Sequence, residues 1–142
     1  MGAVDVSILI VSYNTRELTL GAIRSVCEQT RAASFEVIVV DNDSSDGSAE
    51  AIEAEFPQVK VIRRPDNPGF AAGNNIAARE ASGRYVLLLN PDTEVTDGAI
   101  DRLAAFADRR ADAGAWGGVC VLADGAIDPG SRQLEPTLGG KL

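Results

Sequence analysis

Asp92 lies just beyond the apolar run Tyr85-Val86-Leu87-Leu88-Leu89, in the loop Asn90-Pro91-Asp92-Thr93. A hard, anionic carboxylate in that position could hold a divalent metal against a diphosphate. Open α/β sheets hold ligands at the carboxyl edge of their strands, where this loop would fall. The same four residues are all turn formers, so a plain turn also accounts for them.

Two other apolar runs end in polar loops. Val6 to Val11 leads into Ser12-Tyr13-Asn14. A tyrosine there could stack on a planar base, with Ser12 and Asn14 hydrogen-bonding nearby. A helix N-cap, which Asn14 satisfies alone, is the competing explanation. Val37-Ile38-Val39-Val40 leads into Asp41-Asn42-Asp43-Ser44-Ser45-Asp46-Gly47-Ser48. Capping by Ser45 or Asp46 explains one or two of these residues but not the whole run. Asp41 or Asn42 could read the N–H and carbonyl edge of a pyrimidine. The third loop is Asn67-Pro68-Gly69-Phe70-Ala71-Ala72-Gly73-Asn74-Asn75. Gly69 and Gly73 permit close backbone approach at a helix start, a place for anionic groups or sugar hydroxyls. Gly73, Asn74 and Asn75 are poor helix formers, and packing of small residues against the sheet is the rival reason for them.

The elements that would position these loops alternate along the chain. Val6 to Val11, Phe35 to Val40, Val59 to Ile62 and Tyr85 to Leu89 read as strands covered on both faces. Between them run four helical patterns. In the first, Leu18, Ala22, Ile23, Val26 and Cys27 form one face, behind a capping box at Asn14-Thr15-Arg16-Glu17. The second carries Ala49, Ile52 and Phe56 and stops at Pro57. The third runs through Ala71, Ile76, Ala77 and Ala81 to a glycine cap at Gly83. The fourth starts near Thr96-Asp97 and carries Ile100, Leu103, Ala104 and Ala107. Strand-helix alternation predicts right-handed crossovers and a parallel sheet, so all three loops open on one edge. Trp116 to Leu122 and Ala126 to Asp128 flank Ala123-Asp124-Gly125 as a hairpin. The tail 129–142 is poorly patterned.

The 142 residues fit one domain, 45% apolar and 24% charged. Thirteen basic against 21 acidic residues give −8, which argues against nucleic acid as a partner. There is no histidine, so Ser-His-Asp and Cys-His catalysis are excluded within this chain. Cys27 and Cys120 sit in apolar surroundings and read as buried structural thiols. The loop spacings do not match GxGxxG or GxxxxGK[ST]. Apolar runs are too short to span a bilayer and no segment resembles a signal peptide. The expected location is cytoplasmic, with peripheral attachment at the inner face of the plasma membrane left open.

Together, Val6 to Asn14, Val39 to Ser48, Asn67 to Asn75 and Leu88 to Thr93 resemble the successive motifs of family 2 glycosyltransferases, nearest the bacterial rhamnosyltransferase-like branch. The resemblance implies a Rossmann-like GT-A α/β fold with a mostly parallel central sheet, a UDP- or dTDP-linked sugar donor, Mg²⁺ or Mn²⁺, and inversion at the anomeric carbon. It implies a glycan or lipid-linked acceptor and cell-surface polysaccharide or glycolipid synthesis. Carried over by position, Tyr13 stacks on the base and Asp41 sits at the nucleoside. Asn42 falls where relatives often carry the base-contacting Asp, leaving uracil and thymine both open. Asp92 matches the metal-binding last acid of the DxD motif, and Asn90 replaces its first acid. Ser12, Asn14, Gly69 and Asn74 complete the expected nucleotide-sugar site.

A general base is not identifiable: Asp124, Asp128 and Glu135 are the late carboxylates, and none has a convincing motif. The expectation is therefore a donor-binding part, truncated after the hairpin, with little transfer by this chain alone. A homodimer through the hairpin is a further expectation. The competing classes are a non-catalytic nucleotide-sugar binding module and, less favoured, a sugar-phosphate nucleotidyltransferase.

Overall fold

A computed structural model describes residues 3–129; the predicted tail from 130 onward, with Glu135, lies outside the described residues. Strands β1 (Val6–Ser12), β2 (Phe35–Asn42), β3 (Lys60–Arg64) and β4 (Tyr85–Leu88) alternate with helices α1 (Arg16–Gln29), α2 (Ser48–Glu55), α3 (Phe70–Arg79) and α4 (Ala99–Asp108). The sheet has the order β3-β2-β1-β4, and every pairing is parallel. The expected α/β architecture is therefore present.

β1 is buried along its whole length, which is why it reads as an unbroken apolar run. One face of the sheet packs Ile8, Ile10 and Val39 against Ile23 and Val26 of α1, Ile52 of α2 and Ile100 of α4. The other packs Leu9, Ile38 and Val40 against Ala77 of α3. Val11 pairs with Val40 and Ser12 with Asp41, so β1 and β2 end level and deliver their loops to one edge. No helix among the described residues is long and apolar enough to cross a membrane.

Four local expectations change. The capping box at α1 does not form: Thr15 is the N-cap without a side-chain bond, and Asn14 adopts φ 52°. The Arg16 N–H instead donates to Asp46 Oδ2 at 3.0 Å, from the loop after β2. Gly83 is not a left-handed cap; α3 ends at Arg79, and Gly83 lies against the backbone of β1. α4 starts at Ala99, with Gly98 rather than Thr96 or Asp97 at its cap. The hairpin is shorter than expected: Val121 bridges Ile127, the Leu122 N–H donates to the Ala126 carbonyl at 2.8 Å and the Asp128 N–H to the Cys120 carbonyl at 2.9 Å, while Trp116 to Val119 carry no strand. Val119, Val121, Leu122 and Ile127 are exposed there, so nothing among the described residues supplies the packing a longer pair would need, and Cys120, expected to be buried, is exposed with them while Cys27 is half-buried.

Asp101 ties α4 to the segment before β2. Its carboxylate accepts the backbone N–H groups of Arg31, Ala32 and Ala33 at 2.9, 3.1 and 2.9 Å. Burial raises its pKa, but the three amides outweigh that and hold it below the usual carboxylate range. Hydroxyl donation from Ser34 and from Ser48 lowers Asp5 and Asp46 in the same direction. A carboxyl whose folded pKa is depressed adds stability above its unfolded pKa, and that stability is lost as pH falls through the folded value. Stability is thus expected to be flat near neutrality and to drop as pH falls below about 4. Asp101→Ala should cost about 1–3 kcal/mol, since three amides lose their acceptor. Its urea midpoint at pH 7 should fall, and its acid transition should flatten relative to the parent.

Candidate functional site

An open cleft of about 410 Å³ lies at the carboxyl edge of the sheet, where the loops after all four strands meet. Tyr13, 51% exposed, and the exposed Leu18 and Phe70 give it apolar walls. Val11 and Asn42 contribute from the strand ends, and Asn90, Pro91 and Asp92 close the side beyond β4. The loops predicted to converge do so.

The predicted residues divide into those that face the cleft and those that hold it. Tyr13, Asn42, Asn90 and Asp92 line it. Asp92 is exposed and has no hydrogen bond or ion pair among the described residues. Asp41 is buried beside the cleft; its Oδ2 accepts the Ser44 N–H at 3.1 Å, while Oδ1 has no partner. Asn42 is buried as well, with Nδ2 donating to Asn67 Oδ1 and to the Gly69 carbonyl.

Ser12, Asn14 and Asn74 are scaffold rather than lining. The Ser12 hydroxyl is buried against those of Thr15 and Thr19 at 3.2 and 3.1 Å. Asn14 Oδ1 accepts the Ser45 N–H at 2.8 Å, and the Asn14 N–H donates to Ser44 Oγ at 2.9 Å. These bonds fasten the first loop to the second. Asn74 Nδ2 donates to the Phe70 carbonyl within α3 at 3.0 Å, a back-bond typical of a polar residue inside a helix. Gly73 has the packing role that competed with ligand approach: a Cβ there would lie 2.9 Å from both methyls of Val11.

Sequence reasoning missed two participants. Asn67 anchors the Asn42 amide, and Phe70 lines the cleft together with Tyr13. Both stood in the third loop, whose glycines drew attention away from its first polar and its aromatic residue.

Among the described residues no group of three or more His, Cys, Asp or Glu gathers around a metal position. Asp92 is the one carboxylate lining the cleft. That donor set fits Mg²⁺ or Mn²⁺ shared with a phosphorylated ligand, because Mg²⁺ keeps water and phosphate oxygens beside one or two carboxylates. It does not fit an ion held by protein alone.

The family model described as Glycosyl transferase family 2 matches residues 7–128. An N-acetylglucosaminyl-diphospho-decaprenol L-rhamnosyltransferase of Mycobacterium tuberculosis is 31% identical over 75% of this chain and 38% of its own. The O-antigen biosynthesis protein RfbC of Myxococcus xanthus is 32% identical over 89% of this chain and 10% of its own. The crystal structure of S. aureus TarS 1–349 in complex with UDP-GlcNAc superposes with a TM-score of 0.67 at 26% identity, covering 75% of this chain and 32% of that one. The chain spans 10% to 48% of the length of these and similar curated relatives.

Proposed function

The chain belongs to glycosyl transferase family 2, and from that premise we propose that its cleft binds a UDP- or dTDP-linked sugar for inverting transfer to an acceptor hydroxyl. The observation that carries this is the convergence of Tyr13, Asn42 and Asp92 on one cleft. An exposed ring suits stacking on a base, a buried amide suits its edge, and an unpaired carboxylate suits the diphosphate end. Asp41 is assigned to the nucleoside by its place in the motif; its buried, unpartnered Oδ1 lies one residue before the cleft-lining Asn42. Relatives named for rhamnosyl and O-antigen assembly support a role in cell-surface polysaccharide or glycolipid synthesis. The acceptor is then a glycan or a lipid-linked glycan.

In the transfer, the acceptor oxygen attacks the anomeric carbon from the face opposite the nucleoside diphosphate. The new glycosidic bond forms as the carbon–phosphate oxygen bond breaks, with inversion, and the acceptor proton passes to a base. The chain's own residues orient the donor: Tyr13 fixes the base plane, and Asn90 and Asp92 flank the diphosphate. A divalent cation at Asp92 would neutralise charge on the departing phosphate oxygens. No carboxylate other than Asp92 lines the cleft among the described residues, so none is in place to act as the base. Donor binding with little transfer is therefore expected of the chain alone.

Calorimetry with UDP and dTDP, with and without Mn²⁺, tests the proposal. Metal-dependent binding is expected, weakened about tenfold in Tyr13→Ala by loss of stacking worth about 1–3 kcal/mol. Absence of binding by folded protein would overturn it.

A further inference from the structure

Helix α4 has two unlike faces. Ile100, Ala104 and Ala107 turn inward and pack on the core. Arg102, Phe106 and Arg109, spaced i, i+4 and i+7, share the opposite face and are exposed, the phenylalanine by 40%. Among the described residues, the cations without a carboxylate partner are Arg31, Arg79, Arg102 and Arg109; every other described cation is in an ion pair. Two of those unpaired arginines thus stand on the outward face of α4. Arg31 stands beside its first turn, where the Arg31 N–H donates to Asp101.

The acids of the helix are engaged elsewhere. Asp101 takes three backbone amides, and Asp108 takes the Tyr85 hydroxyl and the Arg84 guanidinium. Asp112 pairs with Arg110, whose guanidinium lies 5.9 Å from the centre of the Phe106 ring. Asp97 before the first turn, and Glu28 late in α1, make no ion pair and offset part of the charge at that end.

We propose that the outward face of α4 docks on a bilayer carrying anionic headgroups. An exposed ring set between arginines suits the headgroup region, where the cations meet phosphate and the ring reaches toward the acyl chains. A nucleic acid would need a longer basic track than one helix face supplies. The chain is acidic as a whole, at −8, so an anionic bilayer repels its other faces and attraction is confined to this one. Docking is thereby oriented. Asp101 ties α4 to the segment before β2 and Asp108 ties it to the first residue of β4, so the helix lies at the amino edge of the sheet. The cleft is at the carboxyl edge and stays open to ligands from solution.

Cosedimentation of the chain with phosphatidylcholine vesicles, and with equal mixtures of phosphatidylcholine and phosphatidylglycerol, tests this. The parent should bind the mixed vesicles at low salt and neither kind at high salt, where surface charges are screened. Each arginine near an anionic surface is worth about fivefold in affinity, so Arg102→Gln should weaken binding about fivefold and Arg102→Gln with Arg109→Gln at least tenfold. Arg79→Gln removes the same charge from an exposed, unpaired arginine on α3, across the sheet, and should change binding by less than twofold. Equal weakening by Arg79→Gln and Arg102→Gln would overturn the proposal, since attraction would then follow net charge and not this face. So would a folded parent that binds the two kinds of vesicle alike, or neither at low salt. A dimer by light scattering that Arg102→Gln abolishes, without vesicle binding, would assign the face to a second copy instead.

Discussion

Asp92→Ala is expected to remove the metal-dependent component of UDP binding while leaving the fold intact. The side chain is exposed and makes no hydrogen bond or ion pair among the described residues, so its loss strips nothing from the core. In the proposed site it would supply the protein's share of a cation's oxygen shell, and among the described residues it is the one carboxylate on the cleft lining. Without it, a cation would have to stay with the diphosphate in solution, with nothing anionic in the cleft to draw the pair in. A loss of about 30-fold in the presence of Mn²⁺, near 2 kcal/mol, is expected. The affinity measured in chelator should hardly change. Parallel calorimetry with and without Mn²⁺, beside matched thermal unfolding curves, reads both parts. Equal Mn²⁺ enhancement in parent and variant would place the metal elsewhere.

The largest stability effect is expected at Gly83. A Cβ built there would lie 2.5 Å from the Ser7 backbone nitrogen, 2.7 Å from its Oγ and 2.9 Å from the Val6 carbonyl carbon. Two of these atoms are main chain of the buried central strand, which has no room to yield. The Gly83 N–H also donates to Ser7 Oγ at 2.8 Å, and Ser7 Oγ donates to Glu36 Oε1, which receives the Ser82 N–H and hydroxyl as well. Forcing the strands apart would loosen that group of bonds together. Gly83→Ala should cost about 3 kcal/mol by overpacking, lowering the melting temperature by roughly 10 °C. Gly114→Ala, where a Cβ would meet open space, is the matched control and should be nearly neutral. Calorimetric melting of the two variants decides it; equal midpoints would mean that the contact at Ser7 relaxes freely.

The fold was legible because its two central strands, β1 and β2, are buried on both faces; the expectation of full cover fails at the edges, where β3 is partly exposed and Val86 and Leu88 of β4 are exposed. Val6 to Val11 and Phe35 to Val40 announce themselves as apolar runs, and in the structure each extends only into the polar residues that follow. The converging edge was legible for a related reason: a parallel sheet has one carboxyl edge, so loops read separately had to meet. Tyr13, Asn42, Asn90 and Asp92 could be found that way. The residues that hold them could not. Asn14 has the composition of a helix cap, yet its oxygen is taken by Ser45, 31 positions away. Gly83 has the look of a helix terminator, and its true constraint is Ser7, 76 positions earlier. Local propensity sees the near partner; tertiary packing chose the far one. The hairpin erred the other way, since a sound turn sequence at Ala123-Asp124-Gly125 does not by itself provide a surface for two strands to cover.

Asp46 joins the starts of two helices: one carboxylate oxygen takes the Arg16 N–H of α1, and the other takes the Ser48 N–H of α2. With the Asn14–Ser45 and Asn14–Ser44 bonds, it makes the loops after β1 and β2 a single cross-linked rim. Ordering a loop residue costs about 1–2 kcal/mol in backbone entropy, and binding sites that must order their loops lose that much affinity. Here these bonds fix the rim during folding, so in the proposed site a base stacking on Tyr13 would meet loops that are already ordered.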